Sequence, residues 1–313
     1  MRAAVLHDFG DPDAFSIESV PTPRPGPNEV LVKVAAAGVG SWDPPLRSGE
    51  WSQGDEKFPL ILGSDGAGTV VGKGARVNRF RLGERVYGYN FGNAKGGFYA
   101  QYVAVPVSNV MRFPAGFDAI HAGALAAIGL TALEGVDDAL GLAPDETVII
   151  TGASGNVGIL AVQFAKLRGA RVLAVASGGD GVALVSRLGA DAAIDGRREN
   201  VAADAKRFAP DGADAVLAFA GGTVLTKCLD NLRRGGRLAY PNGIEPEPRK
   251  RRGLKVKTYD AEPGVRQFER LNEAMEKGDV ELPIAKTYAL ADVAKAHELI
   301  EKGHVVGRVV LKI

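Results

Sequence analysis

The chain holds one cysteine, Cys228, among 313 residues. A lone thiol excludes an internal disulfide framework and any zinc or iron–sulfur site built from several cysteines. An excess of one charge is also lacking. Lys and Arg total 38 against 37 Asp and Glu, a formal net charge of +1. That balance gives no global attraction to nucleic acid or to an anionic membrane. No apolar run is expected to reach the ~18 residues of a membrane span. The opening Met1-Arg2-Ala3-Ala4-Val5-Leu6-His7-Asp8 meets charge too early for a signal peptide. The expectation is a cytoplasmic protein of a reducing compartment, without a nucleic-acid or membrane partner. Internal repeats and low-complexity stretches are missing as well.

Glycine is abundant. The 41 glycines are roughly twice the usual ~7% share, so many backbone positions are predicted to need positive φ or close approach. Apolar residues at 46% and charged residues at 24% describe an ordinary folded chain rather than a disordered one. At roughly 100–200 residues per domain, the length suggests two domains.

The texture changes along the chain. Short β-type runs at Ala3–Leu6, Glu29–Ala36, Ala67–Val71, Arg85–Tyr89 and Tyr99–Val105 are separated by Gly and Pro clusters, which predicts a mostly antiparallel β unit. From Ala119 onward, helices and strands alternate. A helix spans His121–Glu134. Strands follow at Thr147–Thr151, Arg171–Ala176, Ala192–Ile194, Ala215–Phe219 and Arg237–Tyr240, with helices between them at Gly181–Leu188, Val201–Phe208 and Thr223–Leu232. Nearly all-apolar strands joined by helices predict a parallel sheet covered on both faces. The tail reads as helix Val265–Lys277, strand Ala285–Tyr288, helix Asp292–Lys302 and strand Arg308–Ile313. It is expected to pack back on the first unit. The predicted domains are therefore 1–120 with 264–313, and 121–263.

The strand Thr147–Thr151 runs into Gly152-Ala153-Ser154-Gly155-Asn156-Val157-Gly158, which opens a helix. Strand before, helix after and a second strand about 20 residues on are the context of a dinucleotide fingerprint, here A-x-G-x-x-G. Small residues permit the tight turn, Gly155 admits a diphosphate to the backbone amides, and Gly158 lets helix and strand pack closely. The helix N-terminus adds free donors and positive partial charge. NAD sites place an acidic residue at the end of the second strand. Here that strand runs into Ala176-Ser177-Gly178-Gly179-Asp180. Ser177 can donate to a 2′-phosphate, which favours NADPH. Asp180 keeps NADH open if it reaches the ribose, and its other reading is a turn or helix-capping carboxylate.

These residues, with others in order along nearly the whole chain, resemble the zinc-independent medium-chain dehydrogenase/reductases of the quinone oxidoreductase type. The resemblance runs through Gly38-Val39-Gly40-Ser41-Trp42-Asp43, Gly63-Ser64-Asp65-Gly66-Ala67-Gly68, Leu82-Gly83-Glu84-Arg85-Val86 and Gly97 to Val103. It continues through Gly129-Leu130-Thr131-Ala132, Leu188-Gly189-Ala190-Asp191 and Gly303 to Val310. It implies a Rossmann-type doubly wound parallel sheet plus a GroES-like, mostly antiparallel β domain. Gly40 stands where zinc relatives carry a catalytic cysteine, and Ser64-Asp65 where they carry His-Glu. The cysteine-rich structural-zinc loop is missing, so the resemblance implies no zinc. Gly181 and Gly196 stand where NADPH-dependent relatives often carry lysine and tyrosine. Arg197 and Arg198 nearby are candidates for the missing positive charge, or else ordinary surface arginines.

The resemblance further implies hydride transfer from NADPH to a quinone or enone in a cleft between the domains, with a small-molecule acceptor. Thr131, Phe219, Ala220, Gly221, Asn242 and Gly243 are expected near the cofactor. Asp43, Trp51, Tyr87 and Phe91 are expected to line the substrate side, shaped by the loops Trp42–Phe58 and Ile244–Val265. A homodimer through an edge strand or the loop near Arg249–Lys257 is plausible. Two other functions stay open: a zinc-free NAD(P)-dependent alcohol or aldehyde reductase, and a protein that binds NADPH without turnover. His7, His121, His297 and His304 show no metal-type spacing. Cys228 reads as a buried inert thiol, and Arg249-Lys250-Arg251-Arg252 as a solvated basic loop.

Overall fold

The computed structural model describes residues 1–52, 54, 56–249 and 251–313. The chain divides into two units. One holds Met1–Ala127, Pro263–Glu276 and Leu282–Ile313, the other Ile128–Glu262 and Lys277–Glu281. The first division falls seven residues later than the expected 120/121, and the short segment Lys277–Glu281 groups with the second unit. That segment is held locally. Gln163 donates to the Glu281 carbonyl at 2.9 Å and accepts from the Glu281 amide at 2.8 Å.

In chain order the first stretch carries β1 (Arg2–Val5), β2 (Ser16–Ser19), β3 (Glu29–Val39), α1 (Asp43–Ser48), β4 (Asp65–Lys73), β5 (Arg85–Tyr89), β6 (Tyr102–Pro106) and β7 (Val110–Arg112). Next come α2 (Ala119–Glu134), β8 (Thr147–Thr151), α3 (Gly158–Leu167), β9 (Arg171–Ala176), α4 (Gly178–Arg187), β10 (Ala192–Asp195) and α5 (Val201–Phe208). The rest is β11 (Ala213–Ala218), α6 (Gly222–Asp230), β12 (Leu232–Pro241), β13 (Lys255–Tyr259), α7 (Val265–Lys277), β14 (Ile284–Ala289), α8 (Val293–Lys302) and β15 (Arg308–Lys312).

The first unit is a seven-stranded sheet, β14-β15-β3-β4-β5-β7 with β6 also on β3, plus the β1–β2 pair. Every pairing is antiparallel except β14 with β15. Strand β3 alternates, burying Val30, Val32 and Val34 into a cluster with Val70, Val86, Val103 and Val105. Period-two alternation of branched residues is what a half-buried strand requires. Helix α7 buries Phe268, Leu271, Ala274 and Met275, the three-and-four spacing of an amphipathic helix.

The second unit is a six-stranded parallel sheet in the order β10-β9-β8-β11-β12-β13. The chain starts in the middle, runs outward one way, then returns and runs outward the other way. This is the doubly wound order with its switch point between β8 and β11. Strands β8 and β11 are buried along almost their whole length, with apolar centres at Val148 to Ile150 and Ala215 to Ala218, as helices on both faces demand. The sixth strand, β13, was not foreseen. Its Lys255, Val256, Lys257 and Thr258 are exposed, so an edge strand with basic residues carries no apolar run to read. In the basic loop before it, Lys250 lies outside the described residues, and Arg251 pairs with Asp230 at 2.5 Å.

One expectation needs correction. Helix α2 continues through a π-helical turn, Gly135–Ala139, and the resulting 21-residue segment Ala119–Ala139 is long and apolar enough to cross a membrane by length and composition alone. Its polar residues are too few and too scattered to break the helix, although they break the sequence into short apolar runs. Most of it is buried within the protein, with Ala122, Leu125 and Ile128 fully so, the behaviour of a core helix.

Candidate functional site

The C-terminal ends of the parallel strands line up. Thr151 pairs in register with Val175 and Ala218, and Ala176 with Asp195. The loops that follow β8, β9, β11 and β12 therefore emerge at one edge of the sheet. These loops carry Ala153 to Gly158, Ser177, Phe219 to Gly221, and Asn242 with Gly243. Topology thus brings the expected cofactor residues of the second unit to the sheet edge where doubly wound folds bind ligands.

The glycine-rich turn has the required geometry. Gly152 has φ +65°, and the Gly155 amide donates to the Gly152 carbonyl at 3.0 Å. A Cβ on Gly158 would stand 2.3 Å from the Gly152 oxygen and 2.6 Å from the Ala153 Cα, so only glycine fits. A Cβ on Gly155 would meet one atom, the Gly152 carbonyl oxygen at 3.2 Å, a tight contact but a far looser one than at Gly158. The amides of Asn156 and Val157 have no protein acceptor among the described residues, as expected of donors at the start of α3. Two side-chain oxygens at this edge, Asn156 Oδ1 and Ser177 Oγ, are buried without a hydrogen-bond partner. Buried polar atoms are rarely left unpaired. Free amides at a helix N-terminus, a glycine-rich turn and two orphaned oxygens fit a diphosphate with an attached ribose.

Neighbouring contacts stiffen the edge. Thr151 Oγ1 donates to the Ala220 carbonyl at 2.8 Å and the Phe219 amide to the Thr151 carbonyl at 3.1 Å, tying β8 to β11 at the switch point. Ser154 Oγ accepts from the Ser177 amide at 3.3 Å. A Cβ on Gly181 would lie 2.9 Å from Ser154 Oγ, so the serine fills the space in which a side chain at 181 would start. Asp180 lies in the first turn of α4, with its carboxylate accepting from the Gly181 amide at 2.9 Å. Thr131 lies in α2, its carbonyl accepting from the Tyr259 hydroxyl at 3.1 Å. Asn242 donates to Asp260 at 2.7 Å, and Gly243 has φ +83°. Arg197 and Arg198 are exposed.

In the first unit, a cavity of about 590 Å³ is lined by Trp51, Phe91, Phe9 and Leu60 among apolar residues, and by Lys57 and Asn90 among polar ones. The structure does not bring the four substrate-side candidates together. Trp51 and Phe91 line this cavity; Asp43 and Tyr87 do not. Tyr87 is a core residue, fully buried, with its ring edge-on to Phe268 and its hydroxyl donating to Asn272 at 2.7 Å. Its strand turns that side chain inward against α7. Gln53 and Asp55, within the pocket-shaping loop 42–58, lie outside the described residues.

Asp43 belongs to a buried polar cluster that sequence reasoning did not anticipate. Arg308 is fully buried and donates to both oxygens of Asp65, at 2.8 and 3.1 Å, and to the Val39 carbonyl at 3.0 Å. Its guanidinium lies 5.2 Å from the Trp42 ring. Asp65 also accepts from the Ala127 amide at 3.2 Å. Asp43 accepts from the Gly40 amide at 2.7 Å through Oδ2, while its Oδ1 has no partner of good geometry. Tyr99, whose hydroxyl is likewise buried and unpartnered, faces the same carboxyl. Burial pushes the Asp43 carboxyl up to about 7, opposed by the Gly40 amide and Arg308 and assisted by Asp65. Asp65 is thus the carboxylate that Arg308 balances, and Asp43 the one left over.

The same region bears on metal binding. A Cβ on Gly40 would stand 2.4 Å from the Trp42 indole. The indole fills the space into which any ligand at position 40 would project. The other positions offer Ser64, a poor zinc ligand, and Asp65, whose oxygens are already engaged. These residues do not fit a catalytic zinc. Elsewhere, His7 and His121 pair with Glu18 and Asp118. His297 is fully buried, and burial together with nearby Arg47 pushes its imidazole down to about 3. Cys228 is buried and its thiol is pushed up to about 12 by burial.

A doubly wound sheet with a diphosphate-shaped turn, joined in one chain to an antiparallel β unit with its own cavity, defines a nicotinamide-dependent dehydrogenase or reductase. Residues 26–115 match the alcohol dehydrogenase GroES-like domain and residues 188–311 the zinc-binding dehydrogenase domain. The quinone oxidoreductase of Lama guanicoe is 31% identical, over 99% of this chain and 97% of that one. A solved structure described as an NAD-dependent alcohol dehydrogenase superposes with TM-score 0.93 at 29% identity, covering all of both chains. A mycobacterial protein solved in complex with NADPH gives TM-score 0.89 at 25% identity, again over both whole chains. The chain belongs to the medium-chain dehydrogenase/reductase family and is an NAD(P)H-dependent oxidoreductase.

Proposed function

We propose that the protein is a zinc-free, NADPH-dependent reductase whose acceptor is a quinone or the activated C=C of an enone. The observation that carries this reading is the Trp42 indole standing where a side chain at position 40 would begin. In support, no three His, Cys, Asp or Glu side chains are grouped to hold a metal ion among the described residues. Without a Lewis acid, a simple alcohol or aldehyde loses the polarisation that drives its reaction. A conjugated acceptor needs less help, because its own carbonyl takes up the charge as hydride arrives. The name of the quinone oxidoreductase relative supports the acceptor class. The NADPH complex of a structural neighbour supports the cofactor.

When bound, the nicotinamide supplies the hydride. The residues of this chain bind, orient and exclude water. The amides around Gly155 to Gly158 hold the diphosphate. Ser177 offers an unpaired hydroxyl to the 2′ end, with Arg197 and Arg198 supplying charge. Phe219 to Gly221, Asn242, Gly243 and Thr131 serve the nicotinamide half. Trp51 and Phe91 give the acceptor an aromatic wall, which favours a flat conjugated ring.

The test is an acceptor panel run with NADPH on metal-analysed protein. Oxidation of NADPH by a quinone or enone, insensitive to chelator and without stoichiometric zinc, is the expected result. Stoichiometric zinc, or no turnover with either acceptor class, overturns the proposal.

A further inference from the structure

We propose that Asp195 is a positioning residue for the 2′ end of the dinucleotide. Its buried carboxylate orders the loop after β10, which the Gly196–Ala176 backbone bond holds against the end of β9, so that Ser177 and the Arg197–Arg198 pair are held as one recognition surface. The inference rests on the NADPH reading above.

Asp195 ends β10 and pairs in register with Ala176, the last residue of β9. Its side chain is buried. The carboxylate accepts from the Arg197 amide at 3.0 Å. Arg198 Nε stands 3.9 Å from Oδ2. The backbone of Asp195 is equally engaged. Its amide donates to Glu199 Oε1 at 2.8 Å, and its carbonyl accepts from the amides of Arg198 and Glu199 at 3.1 and 2.9 Å. The Gly196 amide donates to the Ala176 carbonyl at 2.9 Å.

Two glycines let the loops close this tightly. Gly178 has φ +76°, a conformation that disfavours side chains. A Cβ on Gly196 would stand 2.9 Å from Val175 Cγ1, so this loop lies flush on β9. The Ser177 amide is held from the other side by Ser154 of the glycine-rich turn. Ser177 therefore sits where three loops meet, its hydroxyl buried and unpaired. Asp195 holds the loop of Arg197 and Arg198 next to it. With the Arg197 amide on Oδ1 and Arg198 beside Oδ2, its carboxylate is turned to its own loop rather than offered to a ribose diol as the strand-end acid of an NAD site is. It orders the loop, and the exposed arginines carry the recognition.

The experiment is calorimetric binding of 2′,5′-ADP and of 5′-AMP to the wild type, Asp195→Ala and Asp195→Asn, with no turnover involved. The wild type is expected to prefer 2′,5′-ADP by about tenfold or more, the effect of one or two charge-assisted hydrogen bonds. Asp195→Ala is expected to reduce that preference to about twofold while 5′-AMP binding changes by less than about twofold. Asp195→Asn keeps one amide acceptor and should recover part of the preference. If the alanine variant fails to fold, the asparagine variant alone decides, by a preference below that of the wild type. An unchanged preference, or equal weakening of both probes, overturns the role of Asp195 and leaves the NADPH reading standing. A wild type that does not discriminate overturns both.

Discussion

Asp43→Asn should make the protein more stable, by an amount that grows with pH. Asp43 is fully buried, its one guanidinium neighbour is committed to Asp65, and burial raises its carboxyl from 3.8 to about 7. In the unfolded chain it titrates near the ordinary aspartate value. Between those two values the folded state holds a proton that the unfolded state has released, so stability falls as pH rises. A shift of about three pKa units at 1.36 kcal/mol each amounts to about 4 kcal/mol, reached near pH 7 and constant above it. Asparagine removes this cost while its oxygen still accepts from the Gly40 amide and its NH₂ gains a partner in the Tyr99 hydroxyl. The measurement is the chemical or thermal midpoint of variant and wild type from pH 4 to pH 9. The two should be close at pH 4 and separate by up to about 4 kcal/mol by pH 8. A difference that stays constant with pH, or a wild type that gains on the variant as pH rises, refutes the assignment. In the second case Arg308 would be balancing Asp43 rather than Asp65.

Two glycines of the nucleotide turn should separate packing from binding. Gly158→Ala places a methyl 2.3 Å from the Gly152 oxygen and should cost about 1–3 kcal/mol of stability, read as a lowered thermal midpoint. Gly155→Ala, whose methyl would meet only the Gly152 oxygen at 3.2 Å, should lower the midpoint less than Gly158→Ala and weaken dinucleotide binding in a titration; the opposite pattern would reverse their roles. Cys228, buried and pushed up to about 12, should stay unreactive toward a thiol reagent at pH 8 in the native protein and react fully in denaturant. Rapid native labelling would contradict its burial.

How much of this was legible depended on how local the signal is. Thr147–Thr151, Arg171–Ala176, Val201–Phe208 and Val265–Lys277 match the observed elements residue for residue, because burial on both faces of a strand, or on one stripe of a helix, writes itself into neighbouring residues. Strand β2 was missed because Ser16-Ile17-Glu18-Ser19 carries one apolar residue, and β13 because its side chains face water. The change from short β runs to alternating strands and helices carried the two-unit architecture, and the strand before and helix after Gly152–Gly158 carried the place of the nucleotide turn. Side-chain assignments failed where the partner lies far along the chain. Tyr87 looked like a pocket wall, yet Asn272, 185 positions away, takes its hydroxyl. Arg308 looked like a landmark, yet it neutralises Asp65 across 243 positions.

Position 40 shows where sequence reading and structure meet. From the residues alone, Gly40 says only that a ligand is missing. In the fold, the Trp42 indole occupies the ground a side chain there would need, and its face lies 5.2 Å from the Arg308 guanidinium, within the range of a cation–π contact. Gly38 obeys the same constraint, since a Cβ there would stand 2.2 Å from the Arg308 guanidinium. Glycine at 38 and 40, the indole at 42 and the Asp65–Arg308 pair are therefore one packing unit. A cysteine at 40 would collide with the indole before it met any metal. The glycine is a requirement of this packing as well as the loss of a ligand.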